Sequence, residues 1–453
     1  MYLLMKNLIF ILVIIGSILK VNSQKLLSEF QIDFNREGRY ILANMYAFQN
    51  KIQNHTLLLS QEQEYLQSFI LSNDLKLLSH SSKVKIPNKY TNPLTFEATK
   101  EDYKILISDD KFENFGVFST NLETGKSVFR EIDFKLKKEK FIASINWNGI
   151  QLITVSNKSN KLNFYSLKNL NTPKTIYILQ ELFNNRDKKV YLSELIENSS
   201  FIDMGLPSNI IASSSNFKLY ESPNGLSITL DNRNLNTTKI DINLNELNYT
   251  LKEFFQPNLT YDSGPSNSNS SLLDNYLLQI AMNSENLAFH IRDLNNSSAV
   301  IKSYNFNSSQ KNIPFINKPL IQDGGLAYHK EIDSPERFLK KIKKGQVAIF
   351  GHLLNNEYQI SIGGVTELKT FNTTPQFGAV PISFGEKELH TTGVFDNNFN
   401  HLESEIAPNI LVKASAILNN IKTPKSQVIF KNKKLDVLGY YDINSKTYKL
   451  FKI

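Results

Sequence analysis

The chain has 453 residues, 41 % hydrophobic and 21 % charged, with a formal net charge of +8 and no cysteine. That composition excludes a disordered or collagen-like chain. The absence of Cys excludes disulfide scaffolds, Cys-ligated zinc, iron–sulfur clusters and thiol catalysis. At roughly 150 residues per domain the length allows about three domains, although repeat-built folds exceed that size as one unit.

The N-terminus reads as an export leader. Lys6 precedes an apolar run from Leu8 to Leu19, followed by Lys20 and the small polar tract Val21-Asn22-Ser23. This order predicts a signal peptide over residues 1–23, with cleavage after Ser23. The run falls short of the roughly 20 residues a helix needs to cross a bilayer. No later stretch is long enough to do so, so residues 24–453 are expected to form an exported domain without a transmembrane span. The periplasm, the cell envelope and the extracellular space all fit. The mild positive charge is spread out and does not form the basic patch that nucleic-acid binding needs.

Beyond the leader one pattern recurs: an apolar strand, a polar turn, a second strand, an Asn/Asp/Gly/Ser turn and a third strand. It runs from Thr56 to Ser82, Tyr103 to Phe134, Ile150 to Leu179, Leu226 to Leu244, Tyr276 to Phe306, Val347 to Val365 and Val428 to Ile453. The clearest spacings, roughly 47–50 residues, belong to repeat architectures. In Leu287-Ala288-Phe289-His290-Ile291-Arg292, alternation places Leu287, Phe289 and Ile291 on one face. By contrast, Tyr276 to Met282 is apolar on both sides, as a strand covered on both faces would be.

A three-stranded meander cannot hide its edges or its apolar face alone. Radial repetition covers the faces, which predicts an all-β fold: an irregular β-propeller of six to eight blades with a few inserted helices. Tandem β-sandwiches are the alternative. One helix is expected near 334–344, where Ser334-Pro335 starts it and Gly345 stops it. A second is expected near 408–421, between Pro408 and Pro424, with Ile410, Ala414, Ile417 and Ile421 on one stripe. Tyr261 to Ser271 reads as an exposed loop.

The chemistry-bearing residues are sparse. The seven histidines (His55, His80, His290, His329, His352, His390, His401) show no helical zinc-protease spacing. Neither a Gly-x-Ser-x-Gly elbow nor a phosphate loop ending in Gly-Lys-Ser/Thr occurs. No cofactor and no metal site is expected. Asp323, ahead of Gly324-Gly325 and followed by His329, is the nearest approach to a polar constellation; the plainer reading is a Gly-Gly turn. Gly363-Gly364 likewise reads as a bulge or turn.

Asp396, Asn398 and Asn400 begin like a calcium loop, but His401 stands where Gly belongs and Ala407 where Glu belongs. Asp109-Asp110 and Glu403/Glu405 offer carboxylates for glycoside hydrolysis, though turn acids are usually just solvated. Trp147 reads as part of a hairpin with Asn148-Gly149, and His290 as a surface residue beside Arg292. Lys340, Lys341, Lys343 and Lys344 read as a solvated helix end.

Three short stretches, Gln359-Ile360-Ser361-Ile362-Gly363, Phe399-Asn400-His401-Leu402-Glu403 and Leu438-Gly439-Tyr440-Tyr441-Asp442, resemble uncharacterised exported proteins of Bacteroidota with propeller-like repeats. The resemblance covers about a quarter of the chain. It implies export and a propeller, and it carries no catalytic residues. Tyr440 to Ile453 is also superficially similar to the last strands of the C-terminal secretion domain of those bacteria. It lacks the Tyr-Pro-Asn-Pro-like start and reads as the last repeat.

The expectation is therefore a non-enzymatic binding or scaffold protein offering a propeller face to a protein or glycan ligand. The alternative is a secreted or periplasmic hydrolase whose carboxylates converge at the propeller centre. A structural subunit of an envelope complex is a third possibility.

Overall fold

The computed structural model describes residues 25–34, 43–50, 54–178, 190–232, 236–259, 267–296, 298–323, 329–366, 387–433 and 435–453. The expected leader lies outside them. The described strands form seven sheets. Blades one to three follow a plain meander, with inner strands Ala43–Asn50, Asn92–Ala98 and Glu139–Asn146. In blade four the innermost strand, Ser199–Ile202, runs parallel to its neighbour Phe217–Ser222. Blades five, six and seven have inner strands Asn267–Leu273, Gln346–Leu354 and Lys425–Asn432.

Contacts run between the inner strands of blades seven and one, two and three, three and four, and five and six. Buried apolar clusters join seven to one, one to two, two to three, three to four, four to five and five to six. Six of the seven joints thus have sheet packed on sheet, which tandem sandwiches would not give. The described residues form an irregular seven-bladed β-propeller.

Two blades borrow their outer strands from upstream. Lys25–Gln31 pairs antiparallel with Thr447–Lys452 and completes blade seven, with Phe30 packed against Phe69 and Tyr448. In blade six the outer positions are filled by Ile321–Asp323 and His329–Glu331, which precede the inner strand in the chain. Both arrangements join distant parts of the chain by backbone hydrogen bonds.

Four helices are described: α1 (Leu192–Leu195), α2 (Ile210–Ser214), α3 (Pro335–Ile342) and α4 (Ile410–Leu418). Ser334 accepts a hydrogen bond from Arg337 N and caps α3 as expected. Asn409, rather than Pro408, caps α4, accepting from Leu411 N and Val412 N. None of the helices among the described residues is long and apolar enough to cross a membrane.

The expected exposed loop at 261–271 needs correction. Its residues 261–266 lie outside the described ones, but 267–271 belong to the inner strand of blade five, where Asn269, Ser270 and Ser271 are buried. Gly363 and Gly364 are neither bulge nor turn. They sit in unbroken register with Leu389 and His390, and a Cβ on Gly363 would fall 1.9 Å from Leu389 O.

Candidate functional site

The segment after Ile202 does not turn directly into the next strand. Leu206 packs with Ile410, Ala414 and Ile417 of α4 and with Ile429 and Leu438 of blade seven. Four residues on, Ile210 of α2 packs with Ala348, Phe350 and Val365 of blade six. This segment of blade four thus reaches both blade six and blade seven. Lys431 Nζ of blade seven fastens it by donating to Gly205 O at 2.9 Å.

Between this segment, the inner strands of blades five and six, the start of α4 and the turn of blade seven lies a cleft of about 260 Å³. It lies at the seam between blades six and seven, where α4 packs on blade seven and α2 on blade six in place of direct sheet-on-sheet packing. Strand alternation sets what faces it. Gly351 lies toward blade five, where a Cβ would be 2.8 Å from Leu273 Cδ2. Phe350 and His352 therefore share the opposite face, turned away from blade five and toward the side of blade seven.

Both ring nitrogens of His352 are closed to solvent and lack a well-formed hydrogen bond. Burial pushes the imidazole pKa down to about 4, the Lys431 charge acts in the same direction, and the polar side chain of Gln359 opposes it. At neutral pH the ring is therefore uncharged, offering one donor and one acceptor.

Three carboxylates line the same cleft: Asp203, Asp274 and Asp436. Asp203 Oδ1 accepts from Gly205 N at 2.8 Å, steadying the crossing segment. Asp274, at φ +48, forms a tight hairpin turn with Asn275, a conformation that short polar residues tolerate. Met204 and Leu353 are apolar members of the lining, each about half exposed. Among the described residues, no three His, Asp or Glu side chains come together as a metal site.

The residues singled out from sequence lie elsewhere. Asp323 and His329 are cross-strand partners in the outer hairpin of blade six; Gly324-Gly325 and the His329 side chain lie outside the described residues. Asp323 Oδ2 accepts from His390 Nε2 at 2.7 Å instead. Asp109 is a turn residue accepting from Glu113 N and from Asn114, and Asp110 accepts from Asn92 Nδ2. Asp396 Oδ1 accepts from Asn398 N and Asn400 N, an internal turn. Lys340 pairs with Glu336 on α3, and Trp147 lies in the hairpin turn between Asn146 and Ile150.

His290 shares a strand face with Arg292, as alternation requires, but it is only partly exposed. Burial and the Arg292 charge hold its pKa below the ordinary value. Arg292 reaches across to blade four, donating to Phe255 O at 3.2 Å and to Gln279 Oε1 at 2.7 Å. Arg292 of the expected surface pair is thus part of the joint between blades four and five.

The cleft residues themselves carry no sequence motif. Asp203, Asp274, His352 and Asp436 come from four blades, so no local spacing could connect them. The only signal was that Asp203-Met204-Gly205-Leu206-Pro207 lies in the long stretch between the third repeat and the fourth, which starts at Leu226.

No protein-family model and no curated protein matches this chain. Among solved structures, it is similar to a catalytically inactive virginiamycin B lyase from Staphylococcus aureus with quinupristin. The identity is 9 %, covering 94 % of this chain and 99 % of that one, with a TM-score of 0.34. The β-propeller domain of Nup133 from Vanderwaltozyma polyspora gives 10 % identity, 95 % and 98 % coverage, and a TM-score of 0.36. The WD40 domain of SCAP from fission yeast gives 12 %, 90 % and 81 %, and 0.32. At this distance nothing about activity passes from these proteins to the present chain.

Proposed function

We propose that the protein is an exported, non-enzymatic binding protein that presents the cleft between blades six and seven to a protein or glycan ligand. The observation that supports this reading is the cleft itself, which gathers Asp203, Asp274, Asp436 and the imidazole of His352, whose ring nitrogens lack a well-formed hydrogen bond. Polar groups converging on a concave, partly apolar site are the usual mark of a binding pocket. The half-exposed Met204 and Leu353 beside it supply the apolar surface that binding sites bury.

The hydrolytic alternative draws on the same cleft, because Asp203, Asp274 and Asp436 lie in its lining. The two readings separate on the fate of the ligand. The wild-type protein and a Leu353→Arg variant, each immobilised, are to be passed over native envelope extract. The expected result is a species retained by the wild type, lost with the variant and released chemically intact. Release of a cleaved product would favour the hydrolase, and equal retention by both proteins would overturn the cleft as the binding site.

A further inference from the structure

We infer that the ligand group entering the cleft is a basic side chain, an arginine in the first instance, carried by a protein partner. This rests on the cleft being the binding site. The first ground is size. At about 260 Å³ the cleft falls below the roughly 300–1,000 Å³ of pockets that enclose a whole small molecule. It fits one long side chain better than a sugar chain. Its one aromatic lining residue, Phe350, is 8 % exposed and packed against α2, which leaves no open ring face for a pyranose.

The second ground is charge. On a chain of net charge +8, the cleft gathers Asp203, Asp274 and Asp436 against a single cation, Lys431. That ammonium donates to Gly205 O and keeps its charge, so the three carboxylates outnumber it by two. None of the three carboxylates forms an ion pair with another described residue. The cleft is therefore locally acidic, and opposite charge on the partner is the complement that favours encounter and register.

The third ground is His352. An uncharged imidazole in the cleft wall does not repel a guanidinium, whose five donors face the carboxylates. The two half-exposed apolar residues, Met204 and Leu353, match the aliphatic stem of an arginine, which lies along apolar surface while its head reaches polar groups.

The test uses ligand-observed saturation-transfer NMR on the full mature chain at low salt. The probes are the capped tripeptide Leu-Arg-Leu, its neutral citrulline counterpart Leu-Cit-Leu, and methyl β-glucoside. The expected result is transfer to Leu-Arg-Leu that weakens as salt is raised, and binding of Leu-Cit-Leu at least about tenfold weaker. The double variant Asp274→Asn, Asp436→Asn should lose the arginine preference while keeping the fold, because Asn also adopts the left-handed turn at position 274. Transfer to the glucoside alone would overturn this inference while leaving the cleft as a binding site. Equal binding of the arginine and citrulline peptides, or no transfer to any probe, would overturn it as well. Failure of the retention experiment with Leu353→Arg would remove the site itself.

Discussion

Lys218 Nζ lies 3.2 Å from Asp231 Oδ2 in the joint between blades four and five, and neither side chain is more than 1 % exposed. The ammonium also donates to Asn269 Oδ1 at 2.7 Å and to Ser215 O. Asp231 in turn accepts from Thr237 Oγ1 at 2.8 Å and from Ser270 N and Oγ at 2.9 and 3.0 Å. Burial pushes the Lys218 pKa down, and the Asp231 charge opposes that shift. Removing one partner leaves an uncompensated buried charge, which costs about 3–5 kcal/mol. Asp231→Ala is therefore expected to lower the unfolding free energy by that amount in urea titrations. A loss below about 1 kcal/mol, the worth of an exposed pair, would show that the pair is not buried as described.

His352 makes stability depend on pH in a defined window. Its folded-state pKa, about 4, lies below the ordinary 6.5. The unfolded chain therefore takes up the proton first as pH falls. The contribution is fully present above about pH 6.5 and is lost between there and pH 4. It amounts to something on the order of 2 kcal/mol after allowance for partial exposure. His290 and His401 are shifted downward too, so the His352→Gln variant isolates the effect. Its unfolding free energy should fall less steeply than that of the wild type from pH 6.5 to 4; parallel curves would contradict the assignment.

Gly363→Ala tests close strand packing in blade six. The added Cβ would meet Leu389 O at 1.9 Å and Leu389 C at 2.9 Å, backbone atoms that move only with the strand. Overpacking of this kind costs about 1–3 kcal/mol, and thermal unfolding should register it. The control is Gly125→Ala, at a turn with φ +66 but nothing nearer than 3.6 Å. It should show only the smaller strain of a left-handed residue. An unchanged melting temperature for Gly363→Ala would mean that the strands are not so closely apposed.

The ring was largely legible because its outer and middle strands alternate. Leu287, Phe289 and Ile291 are all buried, as their spacing demands. Every sequence repeat corresponds to one blade, but in the first three and the fifth the pattern begins one strand late, at the second strand. The inner strand of blade five shows why. Asn267-Ser268-Asn269-Ser270-Ser271 reads as loop by composition, yet its polar groups are consumed by contacts such as Ser270 N to Asp231 and Asn269 Nδ2 to Ser214 O. Tertiary partners that satisfy buried polar groups leave no periodicity to read. Turns were clearer: Asn148-Gly149 makes the expected hairpin with φ +51 and +106. The cleft was not legible, since its walls meet only when blade four's crossing segment reaches blade seven.

Closure of the ring is the claim on which the cleft and its seam depend, and the absence of native Cys makes it directly measurable. Glu29 and Lys449 are register partners in the pairing of the first described strand with the last, with Lys449 Nζ 3.7 Å from Glu29 Oε1. Glu29→Cys with Lys449→Cys, oxidised at low protein concentration, should form an intramolecular disulfide. After a single proteolytic nick in an exposed turn, the chain should stay one species until a reductant is added. Failure to cross-link within one molecule, or cross-linking only between molecules, would contradict a propeller closed by its own N-terminal strand.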